Sequence, residues 1–267
     1  MENKKTSSSS PIGFFDSGLG GLTILSEVYQ MLPNEQLIYL ADSKNAPYGK
    51  KSKEEIISLS IKNTEKLIDL GCKMIVVACN TATTNAIKYL RENYSIPFIG
   101  IEPAIKPAAL NSKIDKVGVL ATKGTLSSEL FALTAKKFEN TQFIEVEGEG
   151  LVEIVDSGEL EKAMPLLEQY LSEMLTKGVD SVVLGCTHYP MLIPIIKRIL
   201  PQHIALIDSG EAVARQTKHV LKVNNILRYA ANKKEHVISS NGNNIAVLTT
   251  FLKQLKIENC LVKQEDF

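Results

Sequence analysis

Short apolar runs that alternate with segments of helical spacing constrain this chain more than any other feature. In the first half the runs are predicted strands, at 12–15, 37–40, 74–78 and 96–101. A helical segment of ten or more residues separates each strand from the next, and such crossover connections make neighbouring strands parallel. Because the strands are apolar on both faces, helices should cover both sides of the sheet. The sequence therefore predicts an α/β protein with mostly parallel sheets.

Signals at the helix ends support this alternation. A helix is predicted over 22–32, where apolar residues have helical spacing, and Pro33 ends it. Ser52 to Glu55 fits a capping box, in which the serine and glutamate side chains each cap a free backbone N–H group. The helix that it opens should run to Leu70, with Gly71 as its stop.

The strand and helix order restarts in the second half. Strands are predicted at 117–120, 181–184 and 204–207, with a helix over about 158–176. The strand end at Asp16 lies 63 residues before Cys79, and the strand end at Thr122 lies 64 residues before Cys186. Two similar lobes that arose by internal duplication explain this spacing. Chance recurrence is the alternative, since the two halves share few identical residues.

The C-terminal stretch does not continue the repeat. From 211 onward the pattern predicts a helix over 212–221, a second helix, a strand over 236–239 and a helix over 245–255. By its residues alone this stretch could complete either lobe.

Composition excludes several classes of protein. The 30 basic and 30 acidic residues cancel, whereas proteins that hold nucleic acid or anionic membranes usually carry a basic excess. No apolar run approaches the length of a membrane span, and the polar, Ser-rich start predicts no signal peptide. Four cysteines are too few for a disulfide scaffold, so a cytoplasmic protein with reduced thiols is expected. The sequence contains neither a CxxC nor an HExxH motif, so it gives no indication of a metal site.

Polar residues gather at the predicted strand ends, where open parallel sheets bind their ligands. They are Asp16-Ser17, Asp42-Ser43, Cys79-Asn80-Thr81, Thr122, Cys186-Thr187-His188 and Asp208-Ser209. After the first strand, the glycines that follow Ser17 would let backbone N–H groups approach an anion. A purely structural turn from strand to helix explains these glycines equally well, and the segment lacks the lysine of a P-loop.

Two of the cysteines occupy equivalent places in the two halves. Cys79 and Cys186 each follow an apolar strand and precede a helix, whose N-terminus favours a thiolate. One such cysteine would more often be a buried packing residue. Two of them, opposed across a cleft, suit the removal of a proton from one face of a carbon and its return to the other face. Cys72 and Cys260 lie in no strand-end motif and are assigned to packing.

Two further residues could assist these thiols. His188 lies two positions after Cys186, and Asp16 begins the cleft loop of the first half. Each could help a thiol to ionise or could accept its proton. Alternatively, His188 donates a hydrogen bond to the substrate from the cleft wall, and Asp16 caps a helix.

Five segments together resemble the glutamate racemases of the aspartate/glutamate racemase family. In chain order they are FDSGLGG at 15–21, ADSKNAPYG at 41–49, VACNTAT at 77–83, GCTHYP at 185–190 and IDSG at 207–210. The resemblance implies an isomerase that interconverts L- and D-glutamate without a cofactor and supplies D-glutamate for peptidoglycan synthesis. It further implies a cytoplasmic enzyme with glutamate as its small-molecule partner and no nucleic-acid or membrane partner, with a homodimer as a further expectation.

The resemblance also implies roles for individual residues. Cys79 and Cys186 would be the acid/base thiols, with Asp16 and His188 as catalytic assistants. The residues expected to bind the substrate are Asp16, Ser17, Tyr48, Gly49, Asn80, Thr81, Thr122, Thr187 and His188. Thr125 would add a hydroxyl contact, and Glu153 resembles a family carboxylate near the second cysteine.

The resemblance assigns the C-terminal stretch to the first lobe. We therefore expect residues 12–100 with 211–267 to form one α/β lobe, residues 101–210 a second, and residues 1–11 a flexible tail. Each lobe would be a mostly parallel sheet flanked by helices, with the active site in the cleft between them. Two alternatives stay open at this point: a racemase of another acidic amino acid such as aspartate, and a two-lobed carboxylate-binding protein without catalysis.

Overall fold

A computed structural model describes residues 7–231 and 234–267 of the chain. Its ten strands are β1 Ile12–Asp16, β2 Leu37–Ala41, β3 Met74–Val77, β4 Phe98–Gly100, β5 Lys116–Ala121, β6 Gln142–Glu147, β7 Ser181–Gly185, β8 Ala205–Ile207, β9 His236–Ser240 and β10 Cys260–Gln264. These counts and bounds refer to the described residues.

Helices connect the strands. They are α1 Leu22–Met31, α2 Lys53–Asp69, α3 Asn80–Asn93, α4 Ile105–Asn111, α5 Lys123–Leu126, α6 Glu129–Ala135, α7 Leu151–Ser157, α8 Met164–Thr176, α9 Ile193–Ile199, α10 Gly210–Val223 and α11 Ile245–Gln254. Short 3₁₀ helices occur at Ser43–Asn45, Tyr48–Lys50, Leu160–Ala163 and Tyr189–Leu192. None of the helices in the described part of the chain is both long and apolar enough to span a membrane.

The strands form two parallel sheets with the same internal order. The larger sheet has the order β10-β9-β2-β1-β3-β4, and the smaller one has the order β6-β5-β7-β8. The run β2-β1-β3-β4 therefore matches the whole of the second sheet strand by strand. Cys79 follows β3 and Cys186 follows β7, which are equivalent strands. The predicted α/β fold with two similar lobes is confirmed, and the repeated strand order is what an internal duplication would produce.

The C-terminal stretch extends the larger sheet. β9 pairs in parallel with β2, and β10 pairs with β9 at the edge. α10 packs along α1, so the chain returns to the first sheet after the second sheet is complete.

Local signals determine several helix ends as predicted. The Ser52 side chain accepts a hydrogen bond from the Glu55 backbone at 3.2 Å, and the Glu55 carboxylate accepts one from the Ser52 backbone at 2.9 Å. This completes the capping box of α2. Gly71 follows the helix with a φ of +80°, a conformation that glycine adopts without strain.

Some predicted elements were wrong. The helix predicted over about 158–176 begins only at Met164, because Gly158 has a φ of +77° and ends α7 instead. The second helix predicted after 221 is absent from the described residues 224–231 and 234–235. β6 and β10 were not predicted, since both are edge strands with polar residues on their exposed faces.

The start of the chain is tied to the first sheet where the structure describes it. The Lys73 ammonium is fully buried, contacts Glu35 at 2.6 Å and donates a hydrogen bond to the Ser8 carbonyl at 2.7 Å. The Lys73 backbone donates to the Pro11 carbonyl. Residues 1–6 of the expected tail lie outside the described residues.

Candidate active site

The carboxyl ends of the two sheets face each other across one small cavity. The empty space between its walls, with the part that opens to solvent included, is about 260 Å³. The lining residues are Ser17, Pro47, Tyr48, Gly49, Cys79, Asn80, Thr81, Thr122, Val152, Cys186, Thr187 and His188. Eight of these twelve residues come from the strand-end segments that the sequence singled out, and Tyr48 and Gly49 come from a segment that carries the family resemblance. The crossover topology explains the gathering, since every strand of a parallel sheet ends at the same edge.

Cys79 lies at the N-terminus of α3. Its Sγ atom accepts a hydrogen bond from the backbone N–H of Ala82 at 3.4 Å and lies 3.7 Å from the Ser17 hydroxyl. Burial and the nearby Asp16 carboxylate nevertheless raise the pKa of Cys79 well above its ordinary value. Cys79 is therefore a protonated thiol, which suits a proton donor.

Cys186 has a different electrostatic environment. Its Sγ atom lies 3.7 Å from Nδ1 of His188, and Nε2 of the same ring lies 3.1 Å from a carboxylate oxygen of Asp156. Burial opposes a charged imidazole, but Asp156 and Cys186 outweigh burial and raise the pKa of His188 well above its ordinary value. A charged ring in this position can donate a hydrogen bond to a Cys186 thiolate. The two thiols of the cleft therefore differ in their charged neighbours, with the Asp16 carboxylate near Cys79 and the His188 ring beside Cys186.

Asp16 lies behind the cavity wall rather than in it. Its carboxylate is fully buried and accepts a hydrogen bond from the Gly21 backbone at 2.7 Å, at the start of α1. Burial raises the pKa of Asp16, with the charge of His188 opposing this effect. Its other oxygen has no hydrogen-bond partner. Asp16 is therefore placed to cap α1 and to influence Cys79 through charge.

Asn80 carries the clearest sign that the cavity takes a ligand. Its side chain lines the cavity, and both its amide nitrogen and its amide oxygen are buried without a hydrogen-bond partner among the residues that the structure describes. An unpartnered buried polar group costs about 1–3 kcal/mol, and such groups in native proteins usually have a function. A carboxylate and an amine on one ligand would satisfy both atoms.

Three threonine hydroxyls connect the two lobes at the cavity floor. Thr81, at the start of α3, lies 2.8 Å from the Thr122 hydroxyl, and Thr122 bonds to Thr125 at 3.0 Å. Thr81 and Thr122 line the cavity, whereas Thr125 is fully buried behind them. Thr125 is therefore placed to orient the other two hydroxyls rather than to contact a ligand.

Tyr48 is held by a buried carboxylate. Its hydroxyl donates a hydrogen bond to Asp42 at 2.5 Å, and Asp42 is only 2% exposed. Burial, together with the negative charge of Asp42, raises the pKa of Tyr48. Tyr48 is thus a neutral phenol in the cavity wall, with Gly49 beside it.

The structure separates two acidic residues on α7. Glu153 lies outside the group of lining residues and pairs with Lys50 at 2.7 Å on the exposed rim of the cleft. Asp156, which sequence reasoning missed, is the carboxylate that contacts His188. It also accepts a hydrogen bond from the Leu19 backbone of the other lobe at 3.1 Å. The sequence held no local signal for Asp156, because Val152, the cavity residue four positions before it on the same helix, was itself not predicted.

Pro47 and Val152 were also missed. Both are apolar lining residues next to predicted polar ones, and nothing in the local pattern separates them from packing residues. Among the described residues, no three His, Cys, Asp or Glu side chains converge closely enough to hold a metal ion.

Fold and cleft together define a class of protein, a two-lobed α/β enzyme with two thiols across one small polar cavity. Such an arrangement meets the needs of racemisation or epimerisation, because one group removes a proton while another supplies one. The chain belongs to the Asp/Glu/Hydantoin racemase family, whose sequence model matches residues 23–217.

Individual relatives agree with the family. A glutamate racemase from Herpetosiphon aurantiacus is 46% identical over 220 residues, which cover 81% of this chain and 87% of the relative. The crystal structure of Escherichia coli glutamate racemase with L-glutamate and the activator UDP-MurNAc-ala has a TM-score of 0.84 and 31% identity, covering 96% of this chain and 98% of that one. The Francisella tularensis glutamate racemase with D-glutamate has a TM-score of 0.84 and 30% identity, covering 97% and 98%.

Proposed function

We propose that this protein interconverts L- and D-glutamate without a cofactor, with Cys79 and Cys186 as the acid/base pair. The observation that carries the proposal is the placement of both thiols, at equivalent strand ends, on a single cavity. A binding protein has no need of two such thiols. The relatives indicate the substrate, because one solved homologue is in complex with L-glutamate and another with D-glutamate.

The proton balance of the reaction is simple. The thiolate of one cysteine removes the α-proton of glutamate and becomes a thiol. The thiol of the other cysteine delivers a proton to the opposite face of the same carbon and becomes a thiolate. The reverse reaction exchanges the two roles. His188 with Asp156 stabilises the charge beside Cys186, and the Ala82 N–H with the Ser17 hydroxyl does so beside Cys79.

Neutral donors dominate the substrate pocket. Ser17, Asn80, Thr81, Thr122 and Thr187 supply hydroxyl and amide groups that match the two carboxylates of glutamate. Cavity walls that exclude water strengthen these hydrogen bonds as charge develops on the α-carboxylate. Because no arginine is among the described residues that line the cavity, recognition depends on hydrogen-bond geometry more than on ion pairing.

We place this activity in the cytoplasm, in the supply of D-glutamate for peptidoglycan. Four unpaired cysteines in the chain support a reducing compartment. The activator of the Escherichia coli relative carries a muramyl group, which belongs to cell-wall chemistry.

A homodimer is a prediction that rests on the resemblance to the family, and sedimentation equilibrium would test it.

Proton NMR in D₂O tests the reaction directly. With purified protein, L-glutamate and no added cofactor, we expect the α-proton signal to disappear while chiral analysis shows D-glutamate forming. Exchange with aspartate but not glutamate would keep the mechanism and change the substrate. No exchange with either amino acid, in protein whose thiols are reduced, would leave a carboxylate-binding protein.

The two thiols are tested by Cys79→Ala and Cys186→Ala. Each substitution should lower the rate of racemisation by about 10²–10⁴-fold or more, because this is the usual contribution of one acid/base group. Cys72→Ala is the matched control, because Cys72 is buried among core residues away from the cavity. Turnover near that of the wild-type protein in either cleft variant would contradict the two-thiol mechanism.

A further inference from the structure

The loop that follows β9 lies against the loop that follows β2, at the carboxyl ends of these two strands in the larger sheet. β2 and β9 are parallel neighbours, and Ala41 pairs with Ser240 at their ends, so both loops leave the sheet side by side. A Cβ atom on Gly242 would lie 2.7 Å from the Cβ atom of Ser43, closer than side chains pack. Glycine at 242 therefore allows the two loops to touch.

Asn241 forms most of the hydrogen bonds between these loops. Its amide nitrogen donates to the Asp42 carboxylate at 2.6 Å, and its amide oxygen accepts from the Lys44 backbone at 2.9 Å. Its own backbone N–H donates to the Ala41 carbonyl at 3.2 Å. Close by, Asn244 donates to the Ser43 hydroxyl at 2.8 Å. The C-terminal stretch thus holds residues 41–44 from one side.

Asp42 connects these contacts between the loops to the cavity wall. One of its oxygens accepts hydrogen bonds from Asn241 and Asn45, and the other accepts the hydroxyl of Tyr48. Asn63 lies 3.5 Å from the second oxygen and 3.3 Å from the Tyr48 hydroxyl. Four neutral donors surround one buried carboxylate, so the loss of any of them leaves its charge less well compensated.

We propose that Asn241 is a positioning residue for the substrate pocket, acting through Asp42 on Tyr48 and Gly49. The proposal rests on the proposed glutamate racemisation. The thiols themselves lie at the ends of β3 and β7, which this loop does not hold. Asn241 therefore governs how tightly the pocket binds glutamate rather than how fast the bound substrate reacts. It lies outside residues 23–217, the part that the family model matches.

Steady-state kinetics separates these two effects. Since a hydrogen bond to a charged group is worth more than a neutral one, Asn241→Ala should raise KM for glutamate about 5- to 20-fold, with kcat within about twofold of wild type. Asn241→Asp should raise KM further, because a second carboxylate then faces Asp42. Asn243→Ala is the matched control: this exposed neighbour bonds to Gln264 and not to Asp42, so its KM should equal that of wild type.

A second variant tests the same contact by steric hindrance between the two loops. Gly242→Ala keeps the Asn241 amide but forces the loops apart, so it should raise KM in the same way. If KM is unchanged in Asn241→Ala and Gly242→Ala, or if kcat falls as much as KM rises, the positioning role is wrong. An unfolded Asn241→Ala would shift the test to Gly242→Ala and Asn241→Asp. Absence of racemisation in the wild-type protein would instead refute the proposed function.

Discussion

The charge state of His188 distinguishes the environments of the two thiols. Both sulfur atoms are buried, but only Cys186 has an imidazole next to it, and that ring contacts the Asp156 carboxylate. Burial alone would keep His188 neutral, so its positive charge depends on its acidic neighbour. Asp156 thus controls the environment of Cys186 without being among the residues that line the cavity.

We expect Asp156→Asn to move the alkaline limb of the kcat/KM pH profile to lower pH. Asp156 raises the pKa of His188 through its charge and its hydrogen bond, so the neutral amide lets the ring lose its proton at lower pH. One acid/base group usually contributes about 10²–10⁴-fold to the rate of a reaction. Loss of the Asp156 charge should remove only part of that contribution, so kcat/KM at the pH optimum should fall about 10- to 100-fold.

Ser157→Ala provides the control for Asp156→Asn. Ser157 is the next residue on α7, is exposed, donates a hydrogen bond to the Ile154 carbonyl and accepts one from the Glu159 backbone, so its bonds are local and do not involve His188. Its pH profile should match that of the wild-type protein. An unshifted alkaline limb in Asp156→Asn would show that another group determines the charge of His188.

At the scale of elements, β9 joins the larger sheet through a buried histidine. His236, its first residue, accepts a hydrogen bond on Nδ1 from the Leu37 backbone of β2 at 3.1 Å. The edge of its ring packs against Tyr29, with ring centres 5.3 Å apart. Only an unprotonated Nδ1 can accept this hydrogen bond, and burial lowers the pKa of His236.

This contact should make the protein less stable in acid. Because the pKa of His236 is lower in the folded chain than in the unfolded one, its contribution to the free energy of unfolding is complete only above the unfolded pKa of about 6.5. The contribution is lost progressively as the pH falls below that value. Urea unfolding of the wild-type protein should therefore show falling stability from pH 7 to pH 5.

His236→Gln should flatten that dependence, since glutamine does not titrate. At pH 7 we expect its stability to stay within about 1 kcal/mol of wild type, as a glutamine oxygen can replace the lost hydrogen-bond acceptor. His219→Gln, on the exposed face of α10, is the control and should leave the dependence unchanged. An equally steep fall in His236→Gln would assign the acid sensitivity to other groups.

In the whole molecule, the two lobes meet through several polar contacts around the cavity. Thr81 contacts Thr122, the Thr23 hydroxyl donates to the Thr187 carbonyl at 3.1 Å, and the Leu19 backbone donates to Asp156. These contacts are buried or partly buried. The ion pair of Lys50 and Glu153 differs from them, because it joins the lobes at the exposed rim.

We expect Glu153→Gln to lower kcat/KM by less than about fivefold, since exposed ion pairs contribute little. Lys50→Gln should have a similar effect, and the double variant should be no worse than either single one. The measurement is the ratio of kcat/KM values at low and at high salt, where screening should remove the difference from wild type. A loss of 100-fold or more in Glu153→Gln alone would place Glu153 in the chemistry.

Much of this architecture follows from the amino-acid sequence alone. Apolar runs of strand length, helical spacing between them and the capping box at Ser52 are local properties, and they predicted the central strands and most of the long helices. The order of these elements predicted parallel sheets. Because parallel strands all end at one edge, the same order also placed Cys79 and Cys186, with their polar neighbours, at one edge of each lobe. The resemblance to the family then implied that these two edges share a cleft.

Only the tertiary structure decided which side chains meet. The packing of α7 within its own lobe brings Asp156 to His188 and leaves Glu153 at the rim, although the two carboxylates lie three residues apart. The edge strands β6 and β10 depend on their neighbours, since each is short and mixes apolar with polar residues. Asn241 reaches Asp42 from 199 residues away. Such contacts depend on how separate elements pack, and local periodicity carries no information about that packing.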